Sequence, residues 1–139
     1  MNCTFFGHRN APDKIKGQLK ETILSLWESG IEHFYVGNNG GFDFLVQIVL
    51  REISLERDIK YSIVLSHIDE VALGAEQQKT IFCEGMERAL PRFAISKRNE
   101  WLIKHSSVVV AYVADPFSNS SAWIERARKR GLTVINLAK

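Results

Sequence analysis

Small and polar residues follow each of four strand-like apolar runs in this sequence. They lie at residues 7–9, 37–41, 66–67 and 115–121. The carboxyl ends of parallel strands meet at one edge of an open sheet, and ligands bind in the crevice there. Helix amino termini at that edge add N–H groups and a partial positive charge, which suit phosphate or carboxylate. The pattern therefore predicts a crevice for a small anionic ligand.

The strongest candidate for a binding loop contains Gly37, Asn38, Asn39 and Gly40. Glycine permits positive φ and close approach of the backbone, so a loop of this kind between a strand and a helix can present successive N–H groups to an anion. The spacing matches neither the dinucleotide-binding fingerprint nor the P-loop. An ordinary turn is the alternative, although it needs fewer glycines and asparagines. Asp43 lies just inside the next helix. It either accepts a hydrogen bond from a ribose hydroxyl or interacts favourably with the positive end of the helix dipole.

Basic residues near two of these positions also suit an anion. Arg9 can form a bidentate pair with phosphate or carboxylate, and His8 is either a donor or acid–base group for the ligand or a structural residue. Arg98 and Asn99 are predicted to lie near the start of a helix at residues 94–105. Cations there oppose the helix dipole unless an anion compensates, so a binding role is favoured over a solvated basic face.

A hydroxyl-rich turn precedes the last predicted helix, with Asp115, Ser118, Asn119 and Ser120 as candidate ligand-binding residues. Consecutive donors can hold a phosphate, but the same residues can simply cap the helix. Glu125 lies about one turn into that helix and is expected to face the crevice. No Ser–His–Asp order and no nucleophile elbow is present.

Bulk properties bound the class of protein. A chain of 139 residues suits one domain, residues 1–139, and 45% apolar with 24% charged residues is ordinary for a globular protein. A net charge of +2 is too small for a nucleic-acid footprint, so a nucleic-acid partner is not expected. The two cysteines have no partners at metal-ligand spacing, and we expect no metal or cofactor beyond a nucleotide-like ligand. No leader or membrane-spanning run is recognised, so a cytoplasmic location is expected.

Apolar strand runs alternate with helical periodicity, which predicts an α/β domain with a mostly parallel sheet of about five strands and helices on both faces. The predicted strands are residues 3–6, 34–36, 61–65, 108–113 and 133–137. The predicted helices are residues 15–27, 42–53, 94–105 and 121–130. The irregular segment 66–91 is either a lid or partly helical, with a short helix at residues 76–90.

Four large apolar side chains, Phe82, Met86, Trp101 and Trp123, lie on or near elements that flank this irregular segment. One small sheet is not expected to hide all of them, and large exposed apolar patches mark interfaces. Most soluble oligomers are symmetric homo-oligomers. We therefore expect a homodimer or a higher homo-oligomer.

Five motifs, in the same order along the chain, resemble those of the SLOG superfamily, and most closely its DUF1273, YpsA-like branch. They are Cys-Thr-Phe-Phe-Gly-His-Arg at residues 3–9, Tyr-Val-Gly-Asn at 35–38, Pro-Arg-Phe-Ala-Ile at 91–95, Arg-Asn-x-Trp at 98–101 and Gly-x-Thr-Val-Ile-Asn-Leu at 131–137. The resemblance implies a Rossmann-like fold, related to the LOG phosphoribohydrolases and to DprA, that binds a nucleotide or a nucleotide-derived signal.

The resemblance also implies a pocket, and its residues are Gly7, His8, Arg9, Gly37, Asn38, Arg98 and Asn99. Family members tend to carry paired glycines before the last helix, where this chain has Ser118 and Asn119. Of the LOG signature at that turn, only Pro116 and a displaced Glu125 remain. The leading interpretation is therefore a non-catalytic sensor or sequestering protein. The alternative is an N-glycosidic hydrolase of nucleotides that uses Glu125.

Overall fold

The computed structural model describes residues 1–66, 80–82 and 90–138, with only the backbone described at residue 91. Its strands are β1 (Asn2–Gly7), β2 (His33–Val36), β3 (Tyr61–Leu65), β4 (Thr80–Phe82), β5 (Val108–Tyr112) and β6 (Thr133–Asn136). Its helices are α1 (Lys16–Glu28), α2 (Gly41–Ser54), α3 (Pro91–Lys104) and α4 (Asn119–Lys129). A short 3-10 turn at Asp13–Ile15 leads into α1.

The described strands form one sheet in the order β4-β3-β2-β1-β5-β6, and every neighbouring pair is parallel. This confirms the α/β class and a Rossmann-like arrangement. All five residues of β3 are buried, as expected for strands covered on both faces. The chain leaves β1 towards β2 on one side, while β5 and β6 lie on the other side. The ends of β1 and β5 thus mark the point where the strand order reverses, which is where open α/β sheets bind ligands.

The described residues contain a sixth strand, β4, where about five strands were expected. It pairs with β3, with Ile63 opposite Thr80 and Leu65 opposite Phe82. A short helix at residues 76–90 was predicted for this stretch. Ile81 instead packs against the core of the α3 and α4 face, so pairing with the open edge of the sheet overrides local helical periodicity. Residues 76–79 and 83–89 of that prediction, Met86 among them, lie outside the described residues, as does His67.

Two apolar cores lie on opposite faces of the sheet. Helices α1 and α2 cover one core, where Phe5 and Phe34 stack with ring centroids 6.2 Å apart. Helices α3 and α4 cover the other, where Trp123 stacks on Phe6 at 6.2 Å. Trp123 is only 6% exposed, so it is a core residue and does not belong to the exposed apolar surface that the four large side chains were expected to contribute to. Cys3 is fully buried, as expected for a core residue.

The boundaries of two helices differ from the predicted ones. Helix α3 begins at Pro91 rather than at residue 94, because proline suits the first helical position and Leu90 before it is extended. Arg98 therefore lies in the middle of α3, and the argument from an unfavourable dipole at the helix start is wrong for it. Helix α4 begins at Asn119, with Ser118 as its N-cap. In the described part of the chain, no helix is long and apolar enough to span a bilayer.

Candidate functional site

A cavity of about 60 Å³ lies at the carboxyl edge of the sheet, between α3, α4 and the ends of β1 and β2. Its polar walls are formed by Gly7, Gly37, Asn39, Asp43, Arg98, Asn99, Asn119 and Ser120. Its apolar walls are formed by Phe5, Phe6, Ile95, Leu102 and Trp123. Four segments that are distant in sequence therefore meet there. The volume exceeds the ~10–15 Å³ that one water requires but is far below the ~300–1,000 Å³ of pockets for drug-sized ligands.

One face of α3 supplies the wall that carries the positive charge. Ile95, Arg98, Asn99 and Leu102 recur at helical spacing, so their side chains lie on the same side of the helix. Arg98 is 3% exposed and Asn99 is 5% exposed. A buried guanidinium is costly unless hydrogen bonds compensate for its lost hydration.

The guanidinium of Arg98 has such hydrogen bonds. Its Nε and Nη2 both donate to Oδ1 of Asn99, at 3.2 and 3.1 Å. Its Nη1 donates to Oδ1 of Asn38 at 3.4 Å. Arg98 thus fixes the orientation of one amide on its own helix and of one in the loop after β2. Asn38 contacts the wall residue Arg98 in this way but does not itself line the cavity.

Asp43 supplies the carboxyl group of the cavity. It lies in the first turn of α2, is 8% exposed, and its Oδ2 accepts a hydrogen bond of 2.9 Å from the Asn39 N–H. Burial raises the pKa of Asp43 to about 6, while the charge of Arg98 and the hydrogen bond from Asn39 act in the opposite direction. At neutral pH this group is therefore mostly an ionised, acceptor-only carboxylate that titrates within reach of physiological pH.

Gly37 separates these two charged groups. A Cβ at this position would lie 2.7 Å from Nη1 of Arg98 and 2.8 Å from Oδ2 of Asp43. The carbonyl of Gly37 also accepts a hydrogen bond of 2.9 Å from Gln47 Nε2. The absence of a side chain is thus what allows the guanidinium and the carboxylate to flank the same backbone position.

The glycine-rich loop at residues 37–41 was predicted to offer its N–H groups to an anion, but those of Asn39 and Gly41 donate within the protein, as does that of the next residue, Phe42. The Gly41 N–H donates to the Arg9 carbonyl at 2.8 Å, and the Phe42 N–H donates to the His8 carbonyl at 3.2 Å. The Asn39 N–H donates to Asp43. The loop after β2 is therefore hydrogen-bonded to the loop after β1. The glycines of the loop after β2 allow this close packing.

Gly40 shows why glycine is needed in this packing. It has a φ of 103°, and a Cβ there would lie 2.8 Å from Cγ of Arg9. Any other residue at this position would be strained by the positive φ, and its Cβ would clash with Arg9. Arg9 itself is exposed and does not line the cavity, although the start of its side chain lies beside the loop that forms part of the cavity wall.

His8 has a structural role in this fold. Its Nε2 accepts hydrogen bonds from the backbone N–H groups of Ala114 and Asp115, at 2.8 and 3.2 Å. The imidazole thereby joins the loop after β1 to the loop after β5. His8 and Asp115 also line a separate, open cleft of about 380 Å³ together with Asn10, Tyr112 and Ala114. These two predicted residues therefore border the reversal point of the sheet rather than the polar cavity.

The turn before α4 combines capping and cavity residues. The Ser118 side chain caps α4 by accepting from the Ser121 N–H at 3.1 Å, and it donates to the Asp115 carbonyl at 2.8 Å. Ser120 donates to the Gly7 carbonyl at 3.0 Å, which ties α4 to the end of β1. Asn119 and Ser120 line the cavity, whereas Ser118 and Asp115 do not.

Glu125 lies away from the cavity. It is on the exposed side of α4 and forms an ion pair with Arg128, one turn further along the helix. The buried side of α4 carries Trp123 and Ile124 instead. Among the residues described, Asp43 is the only carboxyl group that lines the cavity, and the expected position of Glu125 facing the crevice does not occur.

The apolar walls of the cavity, which include Ile95, Leu102 and Trp123, were not predicted from the sequence. Helical spacing from Arg98 would have identified the first two.

Within residues 1–66, 80–82 and 90–138, His, Cys, Asp and Glu side chains form no group of three that could hold a metal ion. Comparison of the chain with protein-family models finds no matching family, and comparison with curated proteins finds no match.

Proposed function

We propose that this protein binds a nucleotide or a nucleotide-derived signal at the carboxyl edge of its sheet and acts as a non-catalytic sensor or sequestering protein. The observation that carries the proposal is the buried guanidinium of Arg98, which faces a small polar cavity together with Asp43. The cavity lies at the sheet edge where α/β folds bind ligands. The resemblance to the SLOG superfamily supports the same class of ligand.

The polarity of the cavity argues for a ligand rather than for a packing defect. Burying a guanidinium and a carboxylate has a desolvation cost that well-packed apolar residues would avoid. The fold keeps both groups, and it keeps a cavity of about 60 Å³ beside them. Strained or costly polar groups in a cleft are a mark of functional sites. The cavity therefore suits one polar portion of a ligand whose remainder extends over the sheet edge.

Arg9 is the candidate for contact with a phosphate outside the cavity. The residue is exposed, and the start of its side chain lies against Gly40, next to the cavity residue Asn39. An exposed arginine beside a ligand cleft can form a bidentate pair with a phosphate group. Arg98 differs because its donors already hold Asn38 and Asn99 in place.

A second candidate function, hydrolysis of the N-glycosidic bond of a nucleotide, is favoured by one observation. Asp43 is a buried carboxyl whose pKa is raised to about 6, a value suited to acid–base chemistry. If the protein is an enzyme, this residue rather than Glu125 performs that role. Most glycoside hydrolases use a pair of carboxylates, and the described part of the cavity has a single one. Binding without hydrolysis is therefore the leading proposal.

Native mass spectrometry of freshly purified protein, followed by titration with a panel of mononucleotides, tests the proposal. We expect one nucleotide bound per chain, with its mass unchanged after long incubation. Chromatography of the same mixtures tests the second candidate, since a hydrolase would release free base. Release that Asp43→Asn abolishes and Glu125→Gln preserves would replace the leading proposal. The Arg128→Ala variant, altered in an exposed ion pair, is the control and should bind normally.

We also propose a homodimer. Exposed apolar side chains recur along one side of α2 and at its end: Phe44 at 58% and Ile48 at 48% exposure in the helix, and Leu55 at 81% as its C-cap residue. Their spacing places them on one helical stripe, and two copies related by a two-fold axis would bury both stripes. Trp101, which was expected to contribute, is half-buried against Tyr35. Light scattering should give twice the chain mass for the wild type and a monomer for Ile48→Glu.

A further inference from the structure

We propose that the cavity takes the vicinal hydroxyl groups of a ribose, and that Asp43 makes the site select ribonucleotides over 2′-deoxyribonucleotides. This inference rests on the proposed nucleotide binding and names the part of the ligand that enters the cavity. It differs from the expectation that Arg98 holds a phosphate there.

The position of Arg98 argues against a phosphate in the cavity. Its Nε, Nη1 and Nη2 atoms all donate to amide oxygens of the protein. These hydrogen bonds use three of the five N–H groups of the guanidinium, so a phosphate that drew it into the cavity would disturb its contacts to Asn38 and to the wall residue Asn99. The guanidinium therefore acts as an internal support that orients polar side chains.

The position of Asp43 argues in the same direction. Its carboxylate lines the same cavity, and no wall residue other than Arg98 that the structure describes carries a positive charge. A dianionic phosphate placed beside an ionised carboxylate in a poorly hydrated space is strongly repelled. A hydroxyl group has the opposite preference, because an ionised carboxylate only accepts hydrogen bonds and forms stronger ones than a neutral acceptor does.

The remaining walls match the other features of a sugar. The side-chain amides of Asn39 and Asn119 can each donate to and accept from a hydroxyl group. The hydroxyl of Ser120 donates to the Gly7 carbonyl, and its oxygen can accept from a hydroxyl group of the ligand. Trp123 and Leu102 offer apolar surface to the C–H bonds of the ring. A volume of about 60 Å³ holds a few water-sized groups, so the diol edge of a ribose fits where a complete nucleotide does not. Its two hydroxyl groups would replace waters that bind the same polar atoms.

Calorimetric titration of the wild-type protein near neutral pH tests the proposal. The probes are AMP, GMP, CMP and UMP, each paired with its 2′-deoxy counterpart. For every base that binds, we expect the ribonucleotide to bind about 10- to 100-fold more tightly, as loss of a hydrogen bond to a charged group implies. The comparison within the wild type requires no variant to fold.

Two variants assign the effect to Asp43. In Asp43→Asn, the preference for ribose should fall at least about fivefold, because a neutral amide replaces a charged acceptor. Asp58→Asn is the matched control, since this exposed acid lines a cleft at the opposite edge of the sheet, and it should keep the full preference.

The possible outcomes separate this inference from the function on which it rests. Equal affinity of the wild type for ribo- and deoxyribonucleotides would overturn the ribose assignment and leave nucleotide binding intact. A preference for ribose that survives unchanged in Asp43→Asn would overturn the role of Asp43. Failure of all eight nucleotides to bind would overturn the proposed function itself.

Discussion

The guanidinium of Arg98 occupies the space in which a side chain at Gly37 would begin. A Cβ at position 37 would lie 2.7 Å from Nη1 of Arg98. Gly37 directly follows the last residue of β2, and Arg98 lies in the middle of α3. The two residues are distant in sequence and meet only in the folded chain. The polar cavity exists because one residue has no side chain and the other has a long one.

Gly37→Ala should therefore damage both the fold and the site. The added methyl group must displace Arg98 or Asp43, which are buried and hydrogen-bonded, and overpacking of this kind costs about 1–3 kcal/mol. Gly17→Ala is the control, because this helical glycine has nothing within 4 Å of its added Cβ, and it should stabilise the protein by about 0.5–1 kcal/mol. Urea denaturation measures both. A Gly37→Ala protein as stable as the wild type would show that the site tolerates movement.

Asp43 should make stability depend on pH in the direction opposite to that of most paired acids. Its pKa rises from 3.8 to about 6 on folding, so between these values the folded state holds a proton that the unfolded chain has released. The contribution of this proton to the free energy of unfolding is fully present below pH 3.8 and is lost as the pH rises through about 6. At 1.36 kcal/mol per pKa unit, the loss is about 3 kcal/mol.

Comparison with Asp43→Asn isolates this contribution. Asparagine keeps an oxygen that can accept from the Asn39 N–H, but it does not titrate. Between about pH 4 and pH 7, the variant should gain about 3 kcal/mol in unfolding free energy relative to the wild type. Chemical denaturation at several pH values measures the difference. A difference that stays constant over this range would contradict the buried, titrating carboxyl.

Arg98→Ala should be strongly destabilising. It leaves the buried side chains of Asn99 and Asp43 without the charge that they face, and removing one partner from a buried charged group costs about 3–5 kcal/mol. Arg98→Lys should recover only part of this, because an ammonium lacks the planar donor arrangement that reaches Asn38 and Asn99 together. Thermal denaturation checks both variants. Arg128→Ala should change stability by less than about 1 kcal/mol.

Arg9→Ala should separate binding from folding. The residue is exposed, so its loss should leave the unfolding free energy within about 0.5 kcal/mol of the wild type. If Arg9 contacts a phosphate, nucleotide affinity should fall about 10- to 100-fold, as expected for a charge-assisted hydrogen bond. Calorimetry with a nucleoside and its 5′-monophosphate provides the check. Arg9→Ala should weaken only the monophosphate, and equal weakening of both would place the phosphate elsewhere.

Much of the fold follows from patterns that need no tertiary information. The strand at residues 61–65 is a continuous apolar run, and the structure places β3 there, buried throughout. The apolar stripe of α2 is equally regular, with Phe42, Val46 and Leu50 among its buried residues. Strand β4 was missed because a three-residue strand is stabilised by pairing with β3, and that pairing is invisible in local periodicity.

The site was predicted only in part, because local sequence patterns do not show which distant segments form contacts. Of the candidates near strand ends, Gly7, Gly37 and Ser120 line one cavity. Arg9, Asn38 and Ser118 were expected in the same crevice and do not line that cavity. The rule that strand ends converge at one edge could not show that His8 would be engaged by two backbone N–H groups, nor that Arg98 would be held by two asparagines. Hydrogen bonds between distant segments decide which polar residues remain for a ligand, and a sequence pattern does not contain them.

The most direct test of the central claim is a map of backbone amide and indole chemical shifts during titration with the mononucleotide panel. Binding in the proposed cavity should perturb the amides of Gly7, Asn39, Asn99 and Ser120 and the indole of Trp123, which all line it. Amides at the opposite edge, such as those of Gly30 and Lys60, should stay unchanged. Perturbations confined to that opposite edge, or none with any nucleotide, would contradict nucleotide binding at the carboxyl edge of the sheet.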